Sequence, residues 1–357
     1  MQQTENLNVL AVEVMPSPDE IKARVPLTER AVTTVLSGRR ALEAILDGRD
    51  RRLFVVVGPC SIHDPVAGLD YARRLRALAD EVSDTLVLVM RIYFEKPRTS
   101  LGWKGFINDP RMDDSFRIDE GMERARRFLL DVCELGLPAG TEALDPISPQ
   151  YYGDLITWTA IGARTAESQT HREMSSGLST PVGFKNSTDG DLQPAVNAIL
   201  SAGQPHAFLG INFEGRSAIF RTRGNRYGHL VLRGGGGRPN FDTVSIWLAE
   251  EELAQAHLPR NLVIDCSHAN SWKKADLQPL VMRDVVHQIR EGNRSVVGLM
   301  VESFLEGGSQ PIPEDLRTLR YGCSVTDPCV SWETTVEMIR SAREVLRPVL
   351  SDRNRQV

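Results

Sequence analysis

The chain has 357 residues, enough for one large domain or two ordinary ones, and the composition of a globular protein that buries a sizeable core. Its net charge of −5 marks no nucleic-acid or membrane-binding surface, so any basic site is local and suited to a small ligand. No apolar run approaches the roughly 20 residues that span a bilayer, and the first twenty residues lack the basic start and apolar stretch of a signal peptide.

Residues 1–50 read as an N-terminal extension with a helical pattern over 29–46. From residue 51 to about 350, short apolar runs alternate with amphipathic stretches. The predicted strands are LFVVVG (53–58), LVLVMR (86–91), LPAGTE (137–142), TWTAIGA (157–163), PVGFK (181–185), HLVLR (229–233), LVIDC (262–266) and SVVGLMVE (295–302). Helical patterns lie between most of them. Over 117–136, Met122, Ala125, Leu129 and Val132 recur at helical spacing, with Arg124, Arg126 and Arg127 on the opposite side. Leu280 to Ile289 and Trp332 to Leu346 read the same way. Residues 206–224 alternate like a β-hairpin inserted before the sixth strand. Eight strands with helical crossovers call for an α/β fold, and eight is the number that closes a (β/α)8 TIM barrel. Additions such as the extension and the hairpin serve oligomerisation or regulation, or cover apolar surface. The five cysteines (Cys60, Cys133, Cys266, Cys323, Cys329) show no framework spacing, which favours reduced thiols in the cytoplasm.

Polar residues that structure alone does not require fall at or just beyond the strand ends: Cys60, Arg91, Glu142, Arg164, Lys185, Arg233, His268 and Glu302. In a barrel those ends share the face where active sites occur. Cys60, His268 and Glu302 follow strands one, seven and eight, which become neighbours on closure. Asp327 lies shortly after, and the mixed donor set suits manganese, iron, cobalt or zinc. Against this stands the common fate of a cysteine as a small buried hydrophobe. Arg91, Arg164, Lys185 and Arg233, joined by Lys96, fit a ligand bearing phosphate and carboxylate. Their structural alternative is an ion-pair network with Glu142, Glu167 and Asp145. The GGGG run at 234–237 lacks the Lys and Ser or Thr of a phosphate loop and reads as a turn.

Longer motifs add a resemblance. GPCSIHDP (58–65), RIYFEKPRTSLGWKG (91–105), GARTAESQTHRE (162–173), PVGFKNSTDG (181–190), LRGG (232–235), DCSHANS (265–271), VES (301–303) and SVTDPC (324–329) resemble the feedback-regulated, microbial type I 3-deoxy-D-arabino-heptulosonate 7-phosphate (DAHP) synthases. The resemblance implies condensation of phosphoenolpyruvate with erythrose 4-phosphate, the first step of the shikimate pathway. Carried over by motif, it implies that Cys60, His268, Glu302 and Asp327 hold a divalent metal. Arg91, Lys96, Arg164, Lys185 and Arg233 would hold phosphoenolpyruvate, Arg98 and Thr99 the phosphate of the aldose. Lys96 is the implied proton donor, and Glu142 positions water.

It further implies a homodimer or homotetramer and a pocket for an aromatic amino acid lined by Gln150, Leu178, Ser179, Phe208 and Gly210. Relatives inhibited by phenylalanine tend to carry Ser at the position of Gly210, those inhibited by tyrosine Gly, which favours tyrosine here. The rival readings are the sister synthase that uses arabinose 5-phosphate and a non-catalytic sensor of aromatic amino acids.

Overall fold

Strands form where the apolar runs predict them. The computed structural model describes residues 4–96 and 102–353. In chain order its strands are β1 (Leu53–Gly58), β2 (Leu86–Arg91), β3 (Ala139–Glu142), β4 (Trp158–Ile161) and β5 (Val182–Lys185), then β6 (Ala207–Ile211) and β7 (Ser217–Arg221), then β8 (Gly228–Leu232), β9 (Leu262–Asp265) and β10 (Val296–Glu302). All but β6 and β7 pair in parallel, and β1 bonds to both β2 and β10, closing an eight-stranded barrel. The hairpin β6–β7 stands apart as an antiparallel pair. The helices are α1 (Pro18–Arg24), α2 (Glu29–Leu46), α3 (Pro65–Val82), α4 (Ile118–Glu134), α5 (Ser148–Tyr152), α6 (Gln169–Ser175), α7 (Gln193–Ala202), α8 (Thr243–Gln255), α9 (Gln278–Arg290) and α10 (Trp332–Leu346).

Alternation along each strand sorts side chains between two cores. Phe54, Val56, Val89, Val231 and Val263 fill the barrel, whereas Val55, Val57, Leu88, Leu230 and Ile264 meet the helices. Trp158 is the bulkiest interior plug. It fits because the two flanking strands offer glycines beneath it, Gly140 opposite it and Gly183 opposite Ala160: a Cβ on Gly183 would lie 2.6 Å from the indole. The indole Nε1 donates to His229 Nε2 at 3.1 Å, and burial pushes that imidazole down to about 4, so it accepts as the neutral ring.

The N-terminal extension does more than decorate the surface. Leu42, Ile45 and Leu46 of α2 join the barrel-interior cluster, so the helix stoppers the end opposite the predicted site. Asn261 Nδ2 donates to Leu46 O, and Arg226 pairs with Asp47, tying the helix end to β8 and β9. Helix α4 corrects one expectation. Arg126 is not on a solvated side but 1 % exposed, donating to Val25 O, Tyr151 O and the Asp154 carboxylate. The extension packs against α4 and covers the flank that the helical pattern would leave in water.

Candidate active site

Strand parity also builds the site. The inward positions that hold Val89, Gly140, Gly183, Val231 and Val263 lower in the barrel recur two residues on as Arg91, Glu142, Lys185, Arg233 and Asp265. A bulge in β10 at Val296–Gly298 resets its phase so that Met300 faces inward and Glu302 follows it. On β4 the matching position is Gly162, and the Glu142 carboxylate occupies the space a side chain would take there. A cavity of about 260 Å³ at this end is lined by Arg91, Tyr93, Lys96, Glu142, Arg164, Lys185, Arg233, His268 and Asp327.

Three of the four predicted metal ligands come together. One donor atom each from Cys60, Glu302 and Asp327 lies within 4.8 Å of the others, with Cys60 Sγ 3.5 Å from Asp327 Oδ2. Burial, reinforced by Glu302 and Asp327, pushes the Cys60 thiol up to about 11. A buried thiol facing two carboxylates suits a cation, whose binding displaces the thiol proton. His268 stands beside this trio rather than within it. Its Nδ1 lies 2.9 Å from Asp265 Oδ2 and 2.7 Å from Ser267 Oγ. Its Nε2 has no partner among the described residues, the arrangement in which a carboxylate orients a liganding imidazole. His268, Trp272 and Lys273 all have left-handed backbones (φ +56°, +53°, +57°), strain of the kind that concentrates at functional sites.

The cations are neutralised in part, by acids other than the expected ones. Arg91 Nη2 meets Glu302 Oε1 at 2.9 Å, and Lys185 Nζ meets Asp265 Oδ2 at 2.8 Å, each pair buried. No ion pair joins these cations to Glu142, Glu167 or Asp145 among the described residues. Two carboxylates therefore tie the cluster around Cys60 to the cations of the cavity: Glu302 directly, Asp265 through His268. Asp265 also accepts from the Ser267 amide and hydroxyl, and its carboxyl is held well below the usual range. Burial raises it, but Lys185 and His268 outweigh that.

Burial disfavours the Lys96 ammonium, yet Cys60, Glu302 and Asp327 raise its pKa on balance and keep it charged. Beside it, burial with Asp145 and Glu142 pushes Glu95 up to about 8, so it adds no negative charge at neutral pH to a site for anions. Asp265 and Lys273, which also lines the cavity, do not stand out in the sequence. Parity would have found Asp265, the last inward position of LVID. Arg98 and Thr99 lie outside the described residues.

A larger cavity of about 600 Å³ lies away from this chemistry, between α1, α5 and the hairpin. Gln150, Leu178, Ser179 and Phe208 line it with Lys22, Arg39 and Phe220. Phe208 and Phe220 stack with centroids 5.4 Å apart. Gly210 is not on the lining but lies beside this pair on the same face of the hairpin, and a Cβ there would lie 3.0 Å from Phe220.

The barrel mouth thus sets the Cys60 thiol and two carboxylates beside a cluster of arginines and lysines, the end of a (β/α)8 barrel where enzymes of this architecture carry their active sites. A sequence model of the DAHP synthetase I family matches residues 24–340, and the chain belongs to that family. It is 52% identical over 348 residues to the Tyr-sensitive phospho-2-dehydro-3-deoxyheptonate aldolase of Escherichia coli K12, covering 98% of each chain. It is 49% identical to the Phe-sensitive form from the same strain over 345 residues, 97% of this chain and 98% of that one. The phospho-2-dehydro-3-deoxyheptonate aldolase structure from Francisella tularensis SCHU S4 superposes with a TM-score of 0.93 at 44% identity, covering 98% of this chain and all of that one. The chain is accordingly a transferase with DAHP synthase activity. Among the described residues no helix is long and apolar enough to cross a membrane.

Proposed function

We propose that the cations at the barrel mouth hold phosphoenolpyruvate while the Cys60 cluster holds a divalent metal beside it. The observation that carries this is the pair of carboxylate links, Arg91–Glu302 and Lys185–Asp265–His268. A metal held by Cys60, Glu302, Asp327 and His268 Nε2 would supply Lewis acidity toward the aldehyde oxygen of erythrose 4-phosphate. The sulfur, nitrogen and oxygen donors suit manganese, iron, cobalt or zinc. Arg91, Lys96, Arg164, Lys185 and Arg233 neutralise the phosphate and carboxylate and fix the orientation of the enol.

Carbon C3 of phosphoenolpyruvate bonds to the aldehyde carbon, and the Lys96 ammonium gives its proton to the alkoxide that forms. Water held by Glu142 adds to C2, leaving its proton on the carboxylate. The C2–O bond to phosphate of the resulting hemiketal then breaks, the C2 hydroxyl becomes the ketone, and its proton leaves with the inorganic phosphate. Arg98 and Thr99 are assigned the phosphate of the aldose. Replacing Arg98 with Ala should raise KM for erythrose 4-phosphate about tenfold or more, the value of a charge-assisted hydrogen bond, with little change for phosphoenolpyruvate. Equal effects on both substrates in initial-rate assays would overturn that partition.

The larger cavity is the proposed effector site, with tyrosine as the favoured ligand. Gly210 leaves the Phe220 ring its place in the lining without crowding, and the Tyr-sensitive relative is somewhat more similar than the Phe-sensitive one. The substitution Gly210→Ser should push Phe220 inward and raise the concentration of tyrosine needed for half-inhibition. An unchanged tyrosine response would remove Gly210 from the account.

Exposed apolar residues on the N-terminal segment (Leu10, Val12, Val14) and the hairpin (Leu209, Phe213, Ile219) support assembly into a homodimer or homotetramer. The five free thiols support a cytoplasmic setting. One assay tests the whole reading: phosphate release from phosphoenolpyruvate with erythrose 4-phosphate, with and without chelator and each aromatic amino acid. Turnover that survives metal removal refutes the metal, and turnover only with arabinose 5-phosphate identifies the sister synthase. Binding of an aromatic amino acid without phosphate release identifies a sensor.

A further inference from the structure

Tyr93 occupies the next inward position after Arg91, and its hydroxyl is an anomaly. The residue is 1 % exposed, yet the hydroxyl oxygen is buried with no hydrogen-bond partner among the described residues. Leaving such a group unsatisfied costs stability, so a phenylalanine would serve packing better. The ring itself is well used. The Arg91 guanidinium lies 3.7 Å above its centroid and Lys96 Nζ 5.8 Å from it, so one aromatic face supports two of the cations. Tyr93 also borders the cavity that these cations line.

A hydroxyl is a donor in want of an acceptor. Of the nearby carboxylates, Glu302 is engaged by Arg91 and Asp265 by Lys185 and His268, while Glu142, across the same cavity, makes no hydrogen bond to the Tyr93 hydroxyl. Burial pushes the phenol far above its ordinary range, so it remains a protonated donor at any working pH. The acceptor that fits a cavity walled by cations is an anionic oxygen.

We propose that the Tyr93 hydroxyl donates a hydrogen bond to a phosphate or carboxylate oxygen of the phosphorylated enol acid bound by Arg91 and Lys96. The inference rests on the assignment of those cations to phosphoenolpyruvate. Tyr93 is then a substrate-contacting residue whose unpaired hydroxyl is satisfied on binding. Stability is exchanged for affinity at this one atom.

The test is Tyr93→Phe, read by titration of the metal-loaded protein with phosphoenolpyruvate in the absence of aldose. The dissociation constant should rise about tenfold to a hundredfold, the value of a hydrogen bond to a charged group. KM for erythrose 4-phosphate should not change. The thermal midpoint should hold or rise, because the variant loses an unsatisfied polar atom. A lower midpoint with unchanged affinity would assign Tyr93 a structural role, and unchanged affinity with an unchanged midpoint would assign the hydroxyl to a water; either overturns the proposal. In Tyr93→Leu the loss of the aromatic face should weaken binding further than Tyr93→Phe. Failure of the underlying assignment looks different: wild type would not bind phosphoenolpyruvate, or Arg233→Ala would bind it as tightly as wild type.

Discussion

Replacing Asp265 with Asn is expected to lower kcat/KM about a hundredfold or more and to destabilise the fold by roughly 3 kcal/mol, the cost of leaving one partner of a buried ion pair uncompensated. The carboxylate accepts from Lys185 Nζ, His268 Nδ1, and the amide and hydroxyl of Ser267. An amide offers one acceptor oxygen and turns an NH2 group on whichever donor remains. Either Lys185 keeps its charge in a buried place without a counter-ion, or His268 loses the contact that orients its ring. Metal content should fall together with phosphoenolpyruvate affinity, since one residue serves both. The carboxyl is held below its unfolded value of about 4. Its stabilisation is therefore complete at neutral pH and is lost only as pH falls through the depressed native value. Thermal melts from pH 7 downward should show the variant and wild type converging in strong acid. A variant with wild-type kinetics and midpoint would sever the proposed link between the two halves of the site.

The barrel is legible in the sequence for a physical reason. Strands covered by helices outside and packed side chains inside are apolar on both faces, so they read as uninterrupted runs. Their ends stand out because a polar residue after such a run has little structural excuse. Helix α1 is less visible: seven residues with Pro18 and Ile21 buried are too few for periodicity, although Ser17 and Glu20 form a capping box that marks its start. The pattern of α2 shows that an apolar face exists but not what it covers. That Leu42, Ile45 and Leu46 stopper the barrel is a non-local fact. Arg126 misleads for the same reason, because a helical pattern cannot show that a distant segment folds over its polar flank.

Within the site, the residues with familiar chemistry are evident and the ones that hold them are not. Asp265 lies three residues before a histidine that draws attention to itself. Nothing in the residue string says that Lys185, eighty positions upstream, ends beside it. Tyr93 reads as one more aromatic until its hydroxyl is seen to lack a partner. Both could be reached by counting parity from the strand interiors, which requires knowing first that the sheet closes.

The second large effect separates support from ligation. His268→Ala is expected to reduce turnover at least about a thousandfold, some 4 kcal/mol of transition-state stabilisation, and to weaken metal retention. Circular dichroism and the thermal midpoint should stay near wild type. The His268 side chain is 19 % exposed and lies on a short turn beyond β9, outside the packed barrel. Its removal leaves Asp265 still paired with Lys185 and Ser267, so no buried charge is stranded. The two variants therefore differ in kind: Asp265→Asn should fail in both stability and catalysis, His268→Ala in catalysis and metal content alone. Metal content after dialysis, measured by elemental analysis beside phosphate-release kinetics, distinguishes them. Full retention of metal and activity in His268→Ala would confine any metal to Cys60, Glu302 and Asp327, and leave the imidazole as a mere neighbour of the Asp265 carboxylate.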